Sequence, residues 1–102
     1  MSNPNVVPLA QQYVVAAKVP DENQYFFHDP GITRLDDGTL IVAAPQWQFM
    51  RFGGAQEIRI LRSDDGGISW DETFSMIGSD AVPFVVDGQL LMFVQAVGHK
   101  DF

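Results

Sequence analysis

The sequence predicts an all-β fold, and three observations carry that expectation. Short β-prone runs alternate with Pro and Asp-Gly turn signals. A pattern of Pro, apolar strand, Asp-Gly, x-Leu and apolar strand occurs twice. An Asp/Gly-rich octapeptide, Ser63 to Trp70, sits between two of the runs in the manner of a hairpin turn. No segment shows the 3.6-residue apolar period of an amphipathic helix.

In chain order, Tyr13 to Val19 reads as a β-rich run closed by Pro20. Ile32 to Leu35 is a short strand followed by the Asp37-Gly38 turn. Thr39 to Ala44 is mostly apolar, so burial on both faces is expected, with Pro45 ending it. Gln46 to Gln56 reads as a loop carrying Trp47, Phe49, Met50, Arg51 and Phe52. Glu57 to Arg62 alternates, with Glu57 and Arg59 on one face and Ile58 and Ile60 on the other. After the octapeptide come strands at Trp70 to Met76, Val82 to Val86 and Leu90 to Val97, the last two joined by Asp87-Gly88. Met92 and Phe93 are expected in the core.

Composition narrows the function. A chain of 102 residues suits one small domain. A net charge of −7 repels phosphate backbones, so no nucleic-acid partner is expected. The absence of Cys removes disulfides and thiolate metal sites. Met1 to Pro20 lacks a basic n-region and a long apolar h-region, so no secretory signal is expected and the cytoplasm is the default compartment. No apolar run approaches the roughly 20 residues of a membrane span, so no membrane partner is expected.

The octapeptide reads S-x-D-x-G-x-S-W through Ser63, Asp65, Gly67, Ser69 and Trp70. It resembles the Asp-box of the sialidase-like (BNR-repeat) β-propellers, in a variant with Ser where Thr is commoner. The bland reading is an ordinary Asp/Gly hairpin turn followed by a core Trp. The resemblance extends from Phe27 to Trp70 and more loosely from Val82. In sialidases a Tyr-Arg-Ile-Pro segment, a strand, an Asp-Gly-Thr-Leu turn, two further strands and the Asp-box follow in that order. Here Phe27-His28-Asp29-Pro30 fills the first slot and Asp37-Gly38-Thr39-Leu40 the turn. The two Asp-Gly turns lie 87 − 37 = 50 residues apart, and propeller repeats run at roughly 40–50 residues per blade.

The resemblance implies one and a half to two four-stranded antiparallel blades. Residues 1–29 would be a lead-in with one strand, 30–77 an Asp-box blade, and 78–102 the start of a second blade. A propeller closes with about 4–8 blades, so the expected states are a partial propeller within a longer product or one completed by other copies. A small barrel or sandwich is the third reading. Self-association through strand edges is therefore expected, as a trimer or a dimer.

The implied function is part of an exo-α-sialidase-like protein that processes or binds glycans. The implied ligand-facing positions are His28, Asp29, Trp47, Arg51 and Asp80. The alternative is a non-catalytic, self-associating Asp-box module. Two departures favour inactivity of this chain by itself. His28 stands where the family places an Arg that clamps the sugar carboxylate, and an imidazole is a pH-dependent anion partner. The loop from Gln46 to Gln56 lacks the family's acid/base Asp. The nucleophilic Tyr and its Glu belong to later blades.

Other groupings carry less. His28 beside Asp29 reads either as a base with its carboxylate or as a loop His capping backbone groups. His28 and His99 show no metal-ligand spacing, so neither a metal nor a cofactor is expected. Asp36-Asp37 and Asp64-Asp65 read as turn carboxylates. The aromatic loop with Arg51 suits sugar stacking, a hydrophobic plug or an oligomer contact equally.

Overall fold

The computed structural model describes residues 12–49 and 56–95. Every regular element among them is a strand: β1 (Tyr25–Phe27), β2 (Gly31–Arg34), β3 (Leu40–Gln48), β4 (Glu57–Ser63), β5 (Asp71–Ile77), β6 (Asp80–Val86) and β7 (Gln89–Gln95). The chain is all-β and antiparallel. Strands β2, β3, β4 and β5 pair in chain order as a meander, and β1 joins β3 beyond the end of β2. Strands β6 and β7 form a separate hairpin. Its first strand packs against β2 and β3.

Alternation in β4 places the core as the pattern requires. Ile58 and Ile60 are buried with Ile41, Ala43 and Ala81, and Leu35, Met76 and Met92 pack around them. Arg59 points the other way and pairs with Glu72 on β5 at 2.6 Å. One extra residue, Thr73, bulges out of β5 where the register shifts between Ile60 and Leu61. The contact between the two sheets is tight at Gly31, where a Cβ would lie 2.9 Å from Pro83 Cδ.

The two Asp-Gly turns differ despite their shared sequence. Asp87 and Gly88 both have positive φ, 51° and 76°, which is the two-residue type I′ hairpin. At the other turn only Gly38 is left-handed, at 93°. There Gly38 N–H donates to Leu35 O and Leu35 N–H to Thr39 O, a three-residue loop. The two turns lie side by side, and a Cβ on Gly88 would come 3.2 Å from Asp36 Oδ2.

Several expectations are corrected. Tyr13 to Val19 is not a strand. The outer side of β3 is taken by β1 and β2, and the segment pairs with no strand among the described residues. It instead lies over the sheet, where Val15, Ala16 and Ala17 face Phe27, Pro30, Val42, Ala44 and Leu61. Its backbone is tied by a side chain, Arg59 Nη1 donating to Lys18 O at 2.7 Å. The first strand among the described residues is Tyr25–Phe27.

Pro45 does not end its strand either. It pairs opposite Ile58 and β3 runs on to Gln48. The N and C=O of one strand residue point to the same side, and Pro45 O accepts from His28 N–H. Its missing N–H therefore faces the break at Asp29 and Pro30, where β3 changes partner from β2 to β1. No ladder bond is lost there. The expected loop from Gln46 thus begins as strand; its residues 50–55 lie outside the described residues.

Burial is also less complete than expected. In β3, Ile41, Ala43 and Ala44 are buried, while Leu40 and Val42 are half-buried. Phe93 is 73% exposed and stacks on Phe84 at 5.1 Å rather than entering the core. The last strand is described to Gln95; its expected continuation to Val97 lies outside the described residues. Among the described residues no helix is long and apolar enough to cross a membrane.

Candidate functional site

The strand starts of the two sheets meet at one point. His28 and Asp29 form the link between β1 and β2, and Asp80 is the first residue of β6. His28 Nδ1 lies 3.4 Å from Asp29 Oδ2 and 3.6 Å from Asp80 Oδ1. Trp47, near the end of β3, stacks on the His28 ring at 4.2 Å with 21° between planes. Four of the five residues expected to face a ligand are thus gathered; Arg51 lies outside the described residues.

Local structure explains the placement. Asp29 has φ 45°, a left-handed conformation that Asp tolerates better than most side chains. That kink turns the chain from β1 into β2. His28 N–H is held by Pro45 O at 2.9 Å, which pins the backbone of the link. Trp47 is fixed at its far end by Nε1 donating to Ser79 O at 2.7 Å. Phe26 lies beside both rings, 6.2 Å from Trp47 and 6.3 Å edge-on to His28. Phe49 packs on Phe26 at 4.7 Å.

Trp47 is held on two sides. One face holds the imidazole and its N–H is spent on a backbone carbonyl. It positions His28. The chemistry exposed at the site comes from the imidazole and the two carboxylates. His28 Nδ1 is shielded from solvent and has no hydrogen-bond partner. The carboxylates stand too far for charge-assisted bonds, which run at roughly 2.7–2.9 Å.

The octapeptide closes on itself at the other candidate position. Ser63 Oγ donates to Asp65 Oδ1 at 2.8 Å and accepts from Gly67 N–H at 2.9 Å. Asp65 also accepts from Ser69 N–H and from Ser69 Oγ. Trp70 Nε1 donates to Gly67 O at 2.9 Å, so the indole lies over the turn. All five motif positions take part. Gly66 and Gly67 have φ of 74° and 94°, which a side chain resists. The Ser69 hydroxyl, the Ser69 N–H and the Ser63 hydroxyl hold the Asp65 carboxyl down at about 2. Asp64 spans to the neighbouring turn, accepting from Thr39 Oγ1 and from Arg62 Nε. This is a structural clasp with no free catalytic group.

Sequence reasoning missed two contributors. Arg59 ties Glu72, Gln46 and Lys18 O together and lies 5.4 Å from the Phe27 ring centre. Only its alternation with Ile58 and Ile60 marked it, as a polar-face residue. Ser79 anchors Trp47 through a backbone carbonyl, which no residue type signals.

Comparison with the models of known protein families, with curated proteins and with solved structures returns no match for this chain.

Proposed function

We propose that the chain is a segment of a sialidase-like Asp-box β-propeller, and that the pole at His28, Asp29 and Asp80 binds glycan without cleaving it. The convergence of these three with Trp47 is the observation that carries the reading. They come from three separate places in the chain and meet at the start of β2 and β6. The closed Ser63–Trp70 clasp and the β2-to-β5 meander support the scaffold half of the proposal.

The charge of the pole selects the sugar. His28 stands where the family would present an Arg, and two carboxylates, Asp29 and Asp80, flank it. A sugar carboxylate would meet like charge there, whereas sugar hydroxyls and amines donate to carboxylates well. The proposed ligands are therefore neutral or amino sugars. Glycan-array binding followed by calorimetry tests this. Neutral or amino glycans should bind and Asp80→Asn should abolish it. Turnover of a fluorogenic sialoside, or no binding across the array, would overturn it.

A second reading is a self-associating module, and the exposed apolar strands favour it. Phe74 and Ile77 on edge strand β5, and Leu91 and Phe93 on edge strand β7, are open to solvent. Unpaired edges with apolar side chains recruit other strands.

A further inference from the structure

We infer that His28 Nδ1, Asp29 Oδ2 and Asp80 Oδ1 form a binding site for a divalent transition-metal cation of the Zn2+ type. The argument begins with Nδ1, which is shielded from solvent and lacks a hydrogen-bond partner. A buried polar atom left unpaired is destabilising. Two carboxylate oxygens face it, yet neither is at hydrogen-bond distance. Two anions and an imidazole nitrogen around one point leave a place for positive charge.

At these separations a protonated Nδ1 would pair with either carboxylate. A cation bound to all three atoms would instead set them at the edge length of its coordination shell. Zn–N and Zn–O bonds near 2.0–2.2 Å in a tetrahedron give edges of about 3.4 Å. The observed edges are 3.4 and 3.6 Å. The three ligand atoms all lie within 4.8 Å of one another. The Asp29 side chain is 80% exposed, so its rotation meets little packing resistance.

The donor set suits the ion. Imidazole and carboxylates are ordinary Zn2+ ligands, and three protein ligands leave one coordination position open. The stack on Trp47, itself tied to Ser79 O, orients the ring as outer-shell partners do in metal centres. The inference stands on the three ligand atoms alone, and a bound cation would compete with a sugar amine for the same carboxylates.

Calorimetric titration of the metal-free chain with Zn2+ alone, without glycan, tests it. The expected result is one ion per chain, with at least tenfold weaker binding in His28→Gln and in Asp80→Asn. Co2+ in place of Zn2+ should give a visible absorption band of tetrahedral intensity. If a variant fails to fold, NMR of the parent chain decides: substoichiometric Zn2+ should shift the His28 ring signals before those of His99. Absence of binding, variants that bind like the parent, or His99 shifting first would each overturn the inference.

Discussion

Replacing Ser63 by Ala removes the pin of the octapeptide clasp. Ser63 is 1% exposed, and its hydroxyl is both the acceptor of Gly67 N–H and a donor to Asp65. Alanine leaves Gly67 N–H without its acceptor inside a half-buried turn. Loss of such a bond costs about 1–3 kcal/mol when the orphaned group is buried, and Gly67 is only partly so. The expected loss is therefore about 1–2 kcal/mol. At roughly 4–8 °C per kcal/mol for a domain of this size, Tm should fall by about 5–15 °C. Scanning calorimetry at one fixed protein concentration reads it, since association would shift Tm by mass action. Ser69→Thr is the control, because threonine keeps the hydroxyl and N–H that Asp65 accepts. A second readout is the Asp65 carboxyl by carbon NMR. It should titrate above its present value of about 2 in Ser63→Ala, since one of its three donors is gone. A Tm within 1 °C of the parent, or an unmoved Asp65, would refute the reasoning.

Three further outcomes are expected. The fold should lose stability as pH falls from about 4 to about 2. Asp65 titrates near 2 when folded and near 3.8 when unfolded, so the unfolded chain takes up the proton first; Asp37, lowered chiefly by Thr39 N–H, acts in the same direction. Acid titration followed by circular dichroism checks this, and no loss in that window would contradict it. Gly78→Ala should destabilise by about 1–3 kcal/mol through overpacking. Its Cβ would stand 2.6 Å from Ile58 Cδ1, with Gln95 O and Val94 Cγ1 closing the other side at 3.1 and 3.2 Å; an unchanged urea midpoint would count against it. Light scattering should show a species heavier than the 11.3 kDa chain, and Phe74→Lys with Phe93→Lys should reduce it to the monomer. A folded monomer in the parent, stable on dilution, would remove the self-association reading.

How much was legible from the residues differs from element to element. Strand β4 was readable because Ile58 and Ile60 alternate with Glu57 and Arg59, and the period-2 signal is local. The octapeptide clasp was readable for the same reason: Ser63, Asp65, Gly67, Ser69 and Trp70 bond one another within a few residues. Tyr13 to Val19 misled because β propensity does not say whether a partner edge is free, and β1 and β2 occupy the edge beside it. Pro45 misled because its missing donor matters only where a ladder bond would form, and β3 changes partner there. The sequence by itself determined the all-β class, the turn positions and the hydrogen bonding of the octapeptide, all of which rest on short-range steric and hydrogen-bond rules. Only the tertiary structure decided that Asp80 comes to His28 across 52 residues of chain (80 − 28), and that Trp47 stacks on the imidazole. Those facts depend on how the β6–β7 hairpin docks against β2 and β3. Docking is set by the summed packing of Gly31, Pro83, Ala81 and their neighbours, a long-range property that no single residue announces.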